Sequence, residues 1–328
     1  MVIALLRNGQ LTPRAVMKAR LLVASGILLA LLGDARALSC TVSATSLAFG
    51  DVTSALLANA VSQTTGTISY SCTGATKSST MTVCLALDNY NASNTRSMTS
   101  GSNALTYQIY SNSGYSTAWG DAANGGIVTV HLATNSTGAA SGSSTVYAQV
   151  LTGQTTTPAG SFSQTLPGGG NNVLTAANGT SASCTTITSN SANISFTTTA
   201  TVSNECTVSV GSLNFGSVTS LSSSVAATTT TTLRCTNGDA YTVGLNAGSG
   251  SGATISARKM TSGSNTVTYS LYQNSADTTV WGNTVGTNTV AGTGTGGTQT
   301  LTVYGLVPAQ TVPAVGTFTD TVVVTATY

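Results

Sequence analysis

Apolar and polar residues alternate along most of this chain. In residues 317–328, Phe318, Val322, Val324, Ala326 and Tyr328 fall on one face at period two, with Thr317, Thr319, Thr321, Thr325 and Thr327 mostly on the other. That alternation, with its β-branched and aromatic content, predicts a half-buried β-strand over 317–328. At a sheet edge such a strand presents unpaired N–H and C=O groups beside apolar side chains, with only Asp320 as a charge and no proline after Pro313. Proteins ordinarily cover or blunt an edge of that kind, so this strand is expected to pair with something else. Similar short alternating runs, separated by Gly/Ser/Asn turns and free of a helical period, predict antiparallel β-sandwiches with Greek-key connections.

The pattern occurs twice. Cys40-Thr-Val-Ser leads to Leu47, Phe49, Gly50 and Val52, and Cys206-Thr-Val-Ser leads to Leu213, Phe215, Gly216 and Val218. Each copy then has a second cysteine, Cys72 or Cys235. The run from Arg96 and Met98 through Leu105, Tyr107, Ile109 and Tyr110 recurs from Arg258 and Met260 through Val267, Tyr269, Leu271 and Tyr272. Trp119-Gly120 recurs as Trp281-Gly282, and Val146-Tyr147 as Val303-Tyr304. Each copy is too long for a solenoid unit and has the size of a domain. The boundaries expected are 38–204 and 205–328.

Residues 1–37 stand apart from the repeat. Lys18 and Arg20 precede an apolar run over 21–32, and Ala35-Arg36-Ala37 has the form of a cleavage site. This predicts a secretory signal peptide, with translation starting at Met1 or Met17; the run is too short for a membrane span. Only Leu38 and Ser39 would then precede Cys40. Charged residues are 5% of the chain, far below the usual quarter. Past residue 37 there are five basic against seven acidic residues, a net charge of −2. No basic patch survives, which argues against nucleic acid and anionic membranes as partners.

All six cysteines follow the expected cleavage site, and an even count in an exported chain predicts disulfides. The repeat pairs Cys40 with Cys72 and Cys206 with Cys235. Each closes a loop of roughly 30 residues, worth about 3–4 kcal/mol on the chain-entropy model. Cys84 and Cys184 have no counterpart, copy two having Gly244 at the place of Cys84 by sequence, and so are expected to pair with each other. Cys184 lies in an insertion of copy one that ends in Ile194, Phe196, Ala200 and Val202 on one face. Two readings stay open. That segment is an added closing strand that copy two lacks, or it is the displaced equivalent of 317–328.

The Cys-x-Val…Phe-Gly opening, the Arg-x-Met-x-Ser-Gly block, the Tyr-x-apolar-Tyr strand and the Trp-Gly pair together resemble the spore coat protein U domain family, which contains the subunits of archaic (Csu-type) chaperone–usher pili. The resemblance covers 38–166 and 205–328. It implies two tandem immunoglobulin-like Greek-key β-sandwiches, the C-terminal one lacking its last strand. It also implies strand addition at an open groove lined by Phe318, Val322, Val324, Ala326 and Tyr328. The partners implied are a periplasmic pilus chaperone, an outer-membrane usher and an adjacent pilin subunit. With so short a mature N-terminus the chain is expected to receive a strand and not to donate one. That is the layout of a tip adhesin, exported through the periplasm to the cell surface for attachment and biofilm formation. The alternative within the family is a spore-coat or other structural surface protein.

Enzyme chemistry finds little support. His131 sits in an alternating run with no Ser/Asp motif and reads as an ordinary strand histidine. Asp88-Asn89-Tyr90-Asn91 through Asn94 has a single carboxylate and no EF-hand spacing. No Cys/His set has zinc spacing, so neither metal nor cofactor is expected. Candidate surface-binding residues are apolar side chains in loops specific to copy one: Leu56, Leu57, Tyr90, Tyr115, Val173 and Leu174. Trp119, present in both copies, is expected in the core.

Overall fold

The computed structural model describes residues 37–87, 95–121, 126–188, 191–311 and 314–328. The expected signal peptide and Tyr90 lie outside these residues, except for Ala37 at its end. In the N-terminal half the elements are β1 (Ser39–Ala44), β2 (Leu47–Val52), α1 (Ser54–Asn59), β3 (Ser62–Thr73), β4 (Thr80–Ala86), β5 (Arg96–Ser100) and β6 (Asn103–Tyr110). They continue as β7 (Val128–Ala133), β8 (Ala140–Val150), β9 (Gly160–Leu166), β10 (Val173–Asn178), β11 (Ala192–Asn193) and β12 (Phe196–Val202). The C-terminal half has β13 (Cys206–Val210), β14 (Val225–Cys235), β15 (Ala240–Leu245), β16 (Arg258–Ser262), β17 (Asn265–Tyr272), β18 (Val290–Thr293), β19 (Gln299–Val307) and β20 (Val324–Thr327).

The repeat becomes two sandwiches around separate cores. In the first, the sheet β1-β3-β8-β6-β5-β9-β12-β2 faces the sheet β11-β10-β4-β7 across Ile68, Tyr70, Val83, Leu85, Tyr107 and Trp119. In the second, β13-β14-β19-β17-β16 faces β18-β15-β20 across Leu233, Val243, Tyr269, Leu271 and Trp281. The Arg and Trp of the repeat form one buried unit in each core. The Trp119 indole N–H donates to Leu85 O at 2.9 Å, and that of Trp281 to Val243 O at 2.8 Å. The guanidinium groups of Arg96 and Arg258 then donate to the carbonyls of Trp119 and Trp281 at 3.0 and 2.7 Å. A buried cation is tolerated when its donors are taken up this way.

Those contacts fix the correspondence of the two halves and correct one expectation. Leu85 matches Val243, so the counterpart of Cys84 is Thr242; Gly244, expected there, sits two residues further on. The end of each half matches as well. β10 pairs with β4 through Leu174↔Leu85, and β20 pairs with β15 through Ala326↔Val243. β20 is thus the counterpart of β10, and β12 is an added strand, which decides between the two readings left open above.

β12 changes the fold around it. It runs antiparallel to β9 and parallel to β2, between the two. Leu47 and Val52 of β2 are each 1% exposed. The same motif in the second half, 213–218, has no strand beside it among the described residues and is irregular, with Val218 50% exposed. Backbone donors and acceptors need partners, and identical side chains form a strand only where those partners exist.

The strand expected over 317–328 is shorter than its alternation predicts. Only Val324–Thr327 forms a ladder, and Thr319 makes an isolated bridge to Thr261. Between these points the chain leaves the larger sheet and joins the smaller one. The inner face still alternates through Phe318, Asp320, Val322, Val324 and Ala326, all half-buried, while Tyr328 is exposed.

Three disulfides, Cys40–Cys72, Cys84–Cys184 and Cys206–Cys235, follow the pairings the repeat predicts. Cys84–Cys184 ties β4 to the segment between β10 and β11 across a sequence separation of 100. Replacing both cysteines by serine is expected to cost about 4–5 kcal/mol on the chain-entropy model. In a calorimetric scan this lowers the N-terminal transition by about 10 °C and leaves the C-terminal transition in place.

Candidate functional site: an open groove in the C-terminal half

β13 leads out of its sheet into 211–218, and the chain returns past it at 316–323. The space between them is a groove of about 370 Å³. One wall is Leu213 and Phe215, the other is Phe318, Asp320 and Val322, and Tyr269 and Val324 lie on its floor. Leu213 and Phe215 are held in place without a strand partner. The Phe215 ring meets Tyr269 edge-on at 6.0 Å, as Phe49 meets Tyr107 at 6.0 Å in the first half. In the first half the space between the matching walls is filled by β12. Its Phe196, Thr198, Ala200 and Val202 are buried against β9 and β2.

Phe318, Val322 and Val324, which the alternation places on one face, line this groove. Ala326 packs against the C-terminal core from β20, outside the groove, and Tyr328 is 56% exposed and away from it. Leu213, Phe215, Tyr269 and Asp320 were missed as lining residues. The signal was present in the repeat, because their copy-one counterparts Leu47, Phe49, Tyr107 and Gln164 surround β12.

Among the described residues Asp320 is the one charge lining the groove. Its Oδ1 accepts from Ser249 N at 2.7 Å, Ser249 Oγ at 2.8 Å and Thr321 N at 2.8 Å, and its Oδ2 from the Tyr269 hydroxyl at 2.8 Å. Burial works to raise its pKa, but the hydrogen bonds from Ser249, Tyr269 and Thr321 outweigh it and hold the carboxyl below its ordinary value. Burial, and then the hydrogen bond to Asp320, push the Tyr269 hydroxyl well up. Arg258 is fully buried beneath, donating to the carbonyls of Leu245, Asn246, Ile255 and Trp281. In the first half Gln164 takes the place of Asp320 and accepts from Tyr107 at 2.6 Å.

The other candidate residues sit elsewhere. Leu56 and Leu57 are in α1, where a loop was expected; Thr53 caps this helix by accepting from Leu56 N. Leu57 is 1% exposed and Leu56 packs half-buried on the same core. Glu205 ties the helix to the C-terminal half by accepting from Ser54 Oγ at 2.8 Å and Ala55 N at 3.0 Å. Leu174 is 0% exposed in β10, so neither it nor Leu57 has surface to offer a ligand, which corrects both expectations. Val173 is half-buried and lines a cleft of about 110 Å³ beside Cys84 and Cys184. Tyr115 stands edge-on between Tyr110 and Tyr147, at 5.6 and 6.0 Å. Trp119 is in the core, as expected. His131 is exposed on β7, its Nδ1 3.2 Å from Thr82 Oγ1. Among the described residues no group of three His, Cys, Asp or Glu side chains could hold a metal ion; the Asp88–Asn94 segment lies outside them.

Fold and groove define a class: tandem immunoglobulin-like β-sandwiches, one closed by its own added strand and one open along an edge. The chain belongs to the Spore Coat Protein U domain family, which matches residues 28–168 and 192–325. Among solved structures, the CsuC–CsuE chaperone–tip adhesion subunit pre-assembly complex from archaic chaperone–usher Csu pili of Acinetobacter baumannii is similar in fold. Its TM-score is 0.53 at 17% identity, covering 88% of this chain and 100% of that chain. The CupB6 tip adhesin of Pseudomonas aeruginosa gives a TM-score of 0.37 at 13% identity, covering 88% of this chain and 94% of that one. No curated protein matches the sequence.

The depressed pKa of Asp320 has a consequence for stability. A carboxyl lowered in the folded state contributes stability that is complete above its unfolded value, about 3.9, and is lost as pH falls through the folded value. Urea melts of the C-terminal half between pH 7 and pH 2 are expected to show this acid loss. Asp320→Asn lowers stability at pH 7 and makes the acid limb shallower.

Proposed function

We propose that this chain is the tip adhesin subunit of a chaperone–usher pilus. The reading divides it into a signal peptide, 1–37, an adhesin-like domain, 38–204, and a pilin-like domain, 205–328. A periplasmic chaperone lends a strand to the groove of the pilin-like domain, the outer-membrane usher receives the complex, and an adjacent pilin subunit then supplies its own strand. The adhesin-like domain, closed by β12, is carried outward at the pilus tip and meets the target surface, the step that begins biofilm formation. Family membership supports the reading, and so does the likeness in fold to a chaperone-bound tip subunit. The observation that carries it is the groove itself: apolar walls on 213–218 and 316–322 where the same fold elsewhere in the chain holds a strand.

Strand addition of this kind draws affinity from backbone hydrogen bonds and specificity from side-chain pockets. It also leaves an uncompleted subunit prone to aggregate through its edge. Secreted alone into a bacterial periplasm, the chain is expected to aggregate or be degraded. Produced with a cognate pilus chaperone, it is expected as a soluble one-to-one complex. Equal yield and equal stability of the chain produced with and without the chaperone would overturn the reading.

A further inference from the structure

β12 has a double character. In space it closes the N-terminal sandwich. In sequence it stands where the leading segment of the second unit belongs. The first unit's last matching strand is β10, the counterpart of β20, and the family match to the second unit starts at 192, ahead of Cys206 and with β12 inside it. The chain therefore holds, in one polypeptide, a junction in which the leader of one unit completes the unit before it.

That junction is a template for the groove of the second unit. Gly160, Phe162, Gln164 and Leu166 of β9 face Val202, Ala200, Thr198 and Phe196 in antiparallel register. Their counterparts are Gly316, Phe318, Asp320 and Val322. The match is fixed by the bridges Thr99↔Ser163 and Thr261↔Thr319, and by the two tyrosine hydroxyls on Gln164 and Asp320. Gly160 and Gly316 agree as well, since a Cβ at either would meet the side chain of Ser100 or Ser262 and approach the following Phe ring.

The one chemical change along this wall is Gln164 to Asp320, and it selects the residue opposite. Thr198, facing Gln164, is fully buried, and its Oγ1 has no hydrogen-bond partner among the described residues. The same hydroxyl opposite Asp320 meets a carboxylate whose Oδ2 carries only the Tyr269 donor. An aliphatic side chain there covers the charge without adding a donor, which is costly in a buried site. An acidic one is repelled, and a cationic one is disfavoured by Arg258 beneath.

Resting on the proposed strand-accepting role of the groove, we infer that its occupant is a leader segment of another subunit with the β12 pattern. That segment has a bulky apolar residue facing Val322, Ser or Thr facing Asp320, a small residue facing Phe318 and an aliphatic residue facing Gly316. It runs antiparallel to 316–322 and parallel to 213–218. The hydroxyl bound by Asp320 is the element of specificity.

The test uses residues 38–328, refolded with a labelled synthetic peptide copied from residues 193–204, and with a Thr198→Leu version of it. The expected result is retention of the native peptide on the monomeric chain with stabilisation of the C-terminal transition, and binding of the leucine peptide about tenfold weaker. An Asp320→Leu chain is expected to reverse the preference, and the two peptides on the wild-type chain decide the matter if that variant does not fold. Equal or tighter binding of the leucine peptide overturns the assigned pattern while leaving the groove a strand acceptor. Failure of both peptides, where the chain refolds without either, overturns the strand-accepting reading itself.

Discussion

The peptide groups of Leu47–Val52 form a strand because β12 lies alongside them, and much of the structure follows from that pairing. A buried N–H or C=O without a partner costs about as much as a lost hydrogen bond, so an edge segment is a strand when paired and an irregular, hydrated segment when not. The two halves run that comparison inside one chain. Leu-x-Phe-Gly-x-Val is regular and buried at 47–52 and irregular at 213–218. Side-chain packing alone does not decide it, because Phe49 and Phe215 keep the same edge-on contact with a buried tyrosine. The missing pairing also explains why Phe318 and Val322 stop at half-burial and why 316–323 turns away toward the smaller sheet after a single bridge.

Much of this was legible in the sequence. The repeat located both sandwiches and two of the disulfides, and the two cysteines without a counterpart in it gave the third. The alternation over 317–328 placed Phe318, Val322, Val324 and Ala326 on the inner face correctly, failed at the exposed Tyr328 and overstated the strand, because alternation records which side chains face inward and not whether the backbone has a neighbour. Asp320 was passed over on that face because it is polar; its partners Ser249 and Tyr269 are distant in sequence, and nothing local announces them. The mismatch of Cys84 with Gly244 has a similar cause. A shift of two residues keeps every side chain on its own face, so the pattern is blind to it, and only the Trp281 contact to Val243 sets the register. Leu56 and Leu57 read as loop residues because α1 is too short to show a period, although Thr53 ahead of a Ser-Ala-Leu-Leu-Ala run is a cap signal.

The repeated Trp was expected in the core, while the repeated Arg was visible as a motif without a role. Both turn out to be internal. Each tryptophan pins the central strand of the smaller sheet, and each arginine binds the tryptophan's own carbonyl from below. This arrangement stiffens the floor of both sandwiches in the same way, whether or not a strand lies above. The C-terminal half can therefore keep its groove walls in position while their backbone is unpaired, and the walls need not be built by the strand that fills them.

The continuity of β12 with β13 sets the mechanical character of the molecule. Only Ser203, Asn204 and Glu205 separate the two strands, and Glu205 is itself fastened to the start of α1. A pull on the C-terminal half thus enters the N-terminal half at Val202 and travels along the length of β12. Loaded in that direction, the ladders to β9 and β2 are sheared and must give way together, whereas a strand peeled from its end parts one bond at a time. The segment that completes the first sandwich is also the tether by which it is held.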